Sequence, residues 1–77
     1  MNSELSKIGY IAFLGTNLYK EYDNWLLALD AANRKEIPVG AFLVSARSHK
    51  WFDHKMRCVH ESQVPPYMLH LQLVLGL

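Results

Sequence analysis

The sequence predicts a small α+β domain: one amphipathic helix packed on a sheet of about four strands, in the order β-α-β-β-β. Three observations carry this. Apolar residues recur at helical spacing from Leu18 to Ala32, short apolar runs flank that stripe on both sides, and a period-two alternation of leucines runs from Tyr67 to Leu75. With 77 residues, of which 51% are hydrophobic and 19% charged, the chain has the apolar content of a single folded domain spanning 1–77, not of a disordered segment.

The first element is KIGYIAFL, residues 7–14, dense in Ile, Tyr and Phe and ended by Gly15, as a largely buried strand is. The helix follows. Leu18, Tyr22, Trp25, Leu29 and Ala32 form its stripe, broadened by Leu26, with Thr16 or Asn17 as cap, Arg34 and Lys35 in the last turn and an Asp30/Arg34 pair on its surface. Pro38 disfavours helical geometry at Ile37, so the helix stops by about Glu36. These first two strands, joined by a helical crossover, are expected to be parallel.

VGAFLVSA, residues 39–46, reads as the second strand, with a buried helical turn as its competitor. Met56 to Glu61 alternates as a third, with Met56, Cys58 and His60 on one face. Pro65 and Pro66 then set the entry to a last strand in which Tyr67, Leu69, Leu71, Leu73 and Leu75 share a face. No charged residue follows Glu61, so the strand is expected either at the centre of the sheet or at an edge that pairs with a second copy, as a homodimer through the 67–75 strand.

The net charge of +1 gives no whole-molecule argument for binding a polyanion, but the cations are unevenly placed. Arg47, Lys50, Lys55 and Arg57 stand against Asp53 alone in residues 47–57. A single cysteine forms no intramolecular disulfide, which points to a reducing, cytoplasmic setting. The run Ile8–Leu14 is short for a signal-peptide core and lacks a small-x-small cleavage site, and no stretch approaches the roughly 18 apolar residues of a membrane span.

The chemistry concentrates in SHKWFDHKMRCVHE, residues 48–61. His49, His54, Cys58 and His60 are chemically apt zinc ligands, yet no Cys-x-x-Cys or His-x-x-x-His spacing is present, and on a helix His49 and His54 would stand about 140° apart. Cys58 and His60 on one strand would have Cα atoms about 6.5 Å apart, near enough to interact, but no orienting group or oxyanion donor accompanies them, so no catalytic residue is assigned. No nucleotide, haem or flavin motif is present and no cofactor is expected.

Beside a small zinc-binding domain built on His49, His54, Cys58 and His60, kept as an alternative, stand two binding readings. In the first, the chain is a non-enzymatic module that occupies a partner protein through Arg47, Lys50, Trp51, Phe52, Lys55 and Arg57, the aromatics serving as anchors. In the second, the same cations neutralise phosphates of a single-stranded nucleic acid while Trp51 or Phe52 stacks on a base, with His49 and His54 adding charge only when protonated. Both need Trp51 and Phe52 exposed; a Trp-Phe pair in a small domain is more often core. In size alone the chain is similar to the small accessory inhibitors of phages and mobile elements, a similarity that covers no motif and transfers no functional residue.

Overall fold

The computed structural model describes residues 9–15 and 18–77. These build β1 (Tyr10–Phe13), β2 (Tyr19–Tyr22), α1 (Trp25–Asn33), β3 (Phe42–Ser45), β4 (Trp51–Phe52), β5 (Cys58–Val59) and α2 (Pro66–Val74), with a 3-10 turn over Glu61–Gln63. The strands form one sheet in the order β2-β1-β3-β4-β5, antiparallel at every step. The α+β class holds, with one strand and one helix more than expected.

The sheet is the middle of three layers, because successive side chains of a strand point to opposite faces. Ala12 pairs with Leu43 and Leu43 with Phe52, and this row packs against Ala28 and Ala31 of α1. Ile11 pairs with Val44 and Val44 with Trp51, and this row packs with Phe13 against Val64 and Met68 at and before α2. Ile11, Phe13, Leu43, Val44 and Met68 are the largest fully buried side chains.

The first difference from expectation is at Leu18–Tyr22. These residues share the helical spacing of the stripe, but Tyr19–Tyr22 lie across from Tyr10–Phe13 as a hairpin partner, closed by the Leu14 N–H donating to the Leu18 carbonyl at 2.9 Å. A long-range ladder supplies backbone hydrogen bonds and cross-strand tyrosine contacts that local periodicity does not reveal. The helix therefore begins at Trp25, capped by Asn24, whose extended backbone (φ −153°, ψ 172°) lets Oδ1 accept from the Leu27 N–H at 3.0 Å. Thr16 and Asn17, the expected caps, lie outside the described residues, as do Lys7 and Ile8 of the first run. The surface pair Asp30–Arg34 forms at 3.1 Å.

The inserted hairpin also corrects the strand direction. β2 reverses the chain before the crossover, so β3 returns beside β1 antiparallel rather than parallel. The strand expected over Met56–Glu61 contracts to Cys58–Val59.

The second large correction is at residues 67–75, which form helix α2 and not a strand. Apolar residues fill the positions between the leucines too, so Met68, Leu71 and Leu75 satisfy helical spacing as well as the leucines satisfy period two. Propensity and end signals decide: Leu, Met and Gln favour helix, Pro66 sits in the first turn, and Gly76 stands just past the end with φ 75°. Pairing of two copies edge to edge through 67–75 has no strand to use. Among the described residues, no helix is long and apolar enough to cross a membrane.

Candidate functional site

The C-terminal end of α1 closes in a left-handed turn. Lys35 has φ 59°, its N–H donates to the Ala32 carbonyl at 3.0 Å, and the Glu36 N–H donates to the Ala31 carbonyl at 2.9 Å. This is the Schellman arrangement, in which glycine usually holds the place occupied by Lys35. The chain then buries Ile37 and turns at Pro38–Ala41, where the Ala41 N–H donates to the Pro38 carbonyl at 3.1 Å and Gly40 supplies the positive φ of 92°. That turn leaves Val39 85% exposed at its tip.

On the far side stands the β4–β5 turn, His54-Lys55-Met56. Asp53 organises it: Oδ1 accepts from the Lys55 and Arg57 N–H groups, each at 2.9 Å, and Oδ2 accepts from Arg57 Nε at 2.8 Å. Burial by itself would raise the Asp53 pKa, but the two backbone amides and the Arg57 guanidinium outweigh it and hold the carboxyl below the ordinary carboxylate range. Met56 takes the left-handed position closing the turn (φ 63°) and sends its side chain into the α1 face of the core.

Between the two turns lies an open cleft of about 610 Å³. Its floor is Ala32, Ile37 and Pro38, with Val39 at the rim; Lys35, His54, Lys55 and Asn33 supply its polar groups. Among the described residues lining it there is no carboxylate and no hydroxyl or thiol nucleophile. Glu36, next in sequence, lies instead near Tyr22, whose hydroxyl pKa is raised by burial and then by that negative neighbour. An apolar floor beside two lysines suits binding of a partly apolar, anionic group.

The structure divides the expected contact set. Trp51 is 3% and Phe52 9% exposed, on opposite faces of the sheet. Phe52 packs edge-on to Tyr10 and Trp25 with centroids 5.8 and 5.2 Å away, and Trp51 lies 5.8 Å from Phe13. Neither is an anchor or a stacking platform; a two-residue inner strand covered on both faces leaves no side of β4 for a partner. The four cations separate as well. Arg47 and Lys50 belong to the turn before β4, Lys55 and Arg57 to the turn after it, and Arg57 is engaged by Asp53. Only Lys55 of the expected set lines the cleft.

The metal set is dispersed too. His49, Cys58 and His60 border a shallow hollow at one end of β4, while His54 is in the cleft beyond the other. His60 caps the 3-10 turn: its Nδ1 accepts from the Ser62 N–H at 3.1 Å, and its own N–H donates to Gln63 Oε1 at 3.1 Å. Among the described residues no group of three or more His, Cys, Asp or Glu comes together as a metal site.

Arg34 and Lys35, expected in the last turn of the helix, lie beyond its end at Asn33, and Ile37 and Val39 follow; Lys35, Ile37 and Val39 are far in sequence from Lys55, so no local pattern joins them to it. One signal was present: a lysine followed by Glu-Ile-Pro where a terminating glycine would be ordinary. No family model, no curated protein and no solved structure matches this chain.

Proposed function

We propose that the chain is a non-enzymatic binding module that acts by engaging a partner protein, in the cytoplasm, as a small accessory inhibitor would. The observation that carries this reading is the cleft between α1 and the β4–β5 turn, apolar at its floor and cationic at its rim, framed by a helix end and a turn that a buried carboxylate holds in place. The contact set accordingly moves from Trp51 and Phe52 to Lys35, Ile37, Val39, His54 and Lys55, with Arg47, Lys50 and Arg57 outside the cleft. The free, exposed thiol of Cys58 fits a reducing compartment.

The test is a pull-down from lysate with the tagged chain and with its Lys35→Glu/Lys55→Glu variant, each with and without nuclease. A defined protein held by the parent after nuclease and lost by the variant is the expected outcome. Identical recovery by both chains refutes the cleft as the contact. Recovery that disappears with nuclease transfers the function to single-stranded nucleic acid, a reading whose expected stacking aromatics, Trp51 and Phe52, are core.

A further inference from the structure

We infer that the cleft's occupant is an extended acidic peptide segment of the partner, carrying one aliphatic or aromatic side chain beside its carboxylates. This rests on the binding-module reading and names the chemistry of its partner. Three features of the molecule point to it.

The first is charge. Lys35 and Lys55 come from separate elements to one cleft, and among the described residues neither forms an ion pair. Two carboxylates near them in sequence are paired elsewhere, Asp30 with Arg34 at 3.1 Å and Asp53 with Arg57 at 2.8 Å, and Glu36, whose charge raises the Tyr22 pKa, does not line the cleft. Two lysines that form no ion pair, in a cleft whose described lining holds no carboxylate, match a chain whose acidic groups flank an apolar one.

The second is shape. The cleft is open to solvent, with Val39 standing almost fully exposed at its rim. Sites for small ligands enclose most of the ligand's surface. An open cleft fits a segment that runs through it and contributes one side chain to Ile37 and Ala32. Among the described residues no Phe, Tyr or Trp lines it, so a nucleobase would find only the His54 imidazole to stack on.

The third is the cost accepted at Lys35. A left-handed backbone brings the Cβ of any residue but glycine too close to the following carbonyl oxygen and is unfavourable for it. Among the described residues Lys35, His49 and Met56 share this conformation, and of the three Lys35 lines the cleft, so a cationic side chain and a strained backbone coincide at its mouth.

The experiment is selection from a displayed random dodecapeptide library on the full chain, followed by affinity measurement for the enriched sequences. The decisive variant is Lys35→Gly/Lys55→Gln, since glycine accepts φ 59° without strain and the change should leave the fold intact. We expect enriched peptides to combine Asp or Glu with Leu, Ile, Val or Phe, and to bind the double variant at least tenfold more weakly while its thermal midpoint stays level or rises. Amide chemical shifts should move at Ala32, Ile37, Val39 and Lys55. Enrichment of basic or uncharged peptides, equal affinity for the double variant, shifts away from the cleft, or displacement by single-stranded DNA would each overturn the inference. The pull-down separates the two levels: a partner lost with Lys35→Glu/Lys55→Glu but no acidic peptides in the selection removes the acidic segment and leaves the module. A partner indifferent to those changes removes both.

Discussion

The two helices are each nine residues long and each covers one face of the same sheet, yet they do so by opposite means. α1 approaches through alanines, Ala28 and Ala31 against Ala12 and Leu43, and keeps charge on its outer side, with Asp30 and Arg34 paired. α2 carries no Lys, Arg, Asp or Glu and presses Met68, Leu69 and Leu71 against the bulkier row of Ile11, Phe13, Val44 and Trp51. Their ends repeat the contrast. The same pair of backbone hydrogen bonds closes both, but the left-handed position is Lys35 in α1 and Gly76 in α2. The α2 end takes the residue that stability favours. The α1 end takes the one that brings a cation to the cleft.

The largest expected effect breaks the contrast in the core. Trp51→Ala empties the α2 face and should cost about 3–5 kcal/mol. Ala28→Leu overfills the α1 face and should cost about 1–3 kcal/mol. Urea denaturation of both variants orders the two; a smaller loss for Trp51→Ala would show that the α1 face tolerates added volume less well than the α2 face tolerates its removal. Next come the helix ends. Gly76→Lys should destabilise by about 1 kcal/mol and Lys35→Gly should stabilise by up to about 1 kcal/mol, read as opposite shifts of the denaturation midpoint. Equal signs would mean that the two turns are not equivalent in conformation.

Asp53 gives a pH-dependent test of the cleft's second wall. Its folded pKa lies below the ordinary value, so its stabilisation is complete above the unfolded pKa, near 3.9, and is lost as pH falls through the folded one. Asp53→Asn should cost about 1 kcal/mol at neutral pH and should flatten the acid limb of a stability-versus-pH curve. An unchanged limb would assign acid unfolding to other carboxylates. The smallest effect is on the outer side of α2, where Leu73 is 75% and Val74 62% exposed. Leu73→Gln and Val74→Thr should each change stability by no more than about 0.5 kcal/mol. A larger loss would mean that these residues are covered in solution.

Much of the frame was legible along the chain. Tyr10–Phe13 and Phe42–Ser45 announce themselves as apolar runs, Trp25 to Ala32 keeps helical spacing, and Asp30 with Arg34 is a local pair. Leu18–Tyr22 was misjudged because a strand and a helix turn can carry the same apolar spacing over five residues. Tyr67–Leu75 was misjudged because a segment apolar at nearly every position satisfies both periods. In both places the deciding information was elsewhere: a neighbouring strand for the one, and Pro66 with Gly76 for the other. Trp51 and Phe52 looked like a binding pair because adjacency in sequence suggests a shared surface. On a strand, adjacency means opposite faces, and with both faces covered it means burial.

Composition and periodicity by themselves determined that this chain folds as a small α+β domain, where its apolar runs lie and where its charges are spent, because those follow from local preference and from counting apolar groups. Only the tertiary structure decided that the cations of residues 47–57 belong to opposite ends of a strand, and that Lys35 meets Lys55 across an apolar cleft. That meeting depends on the sheet order and on a left-handed turn at a lysine, and both are settled by contacts between residues distant in sequence, which no local pattern encodes.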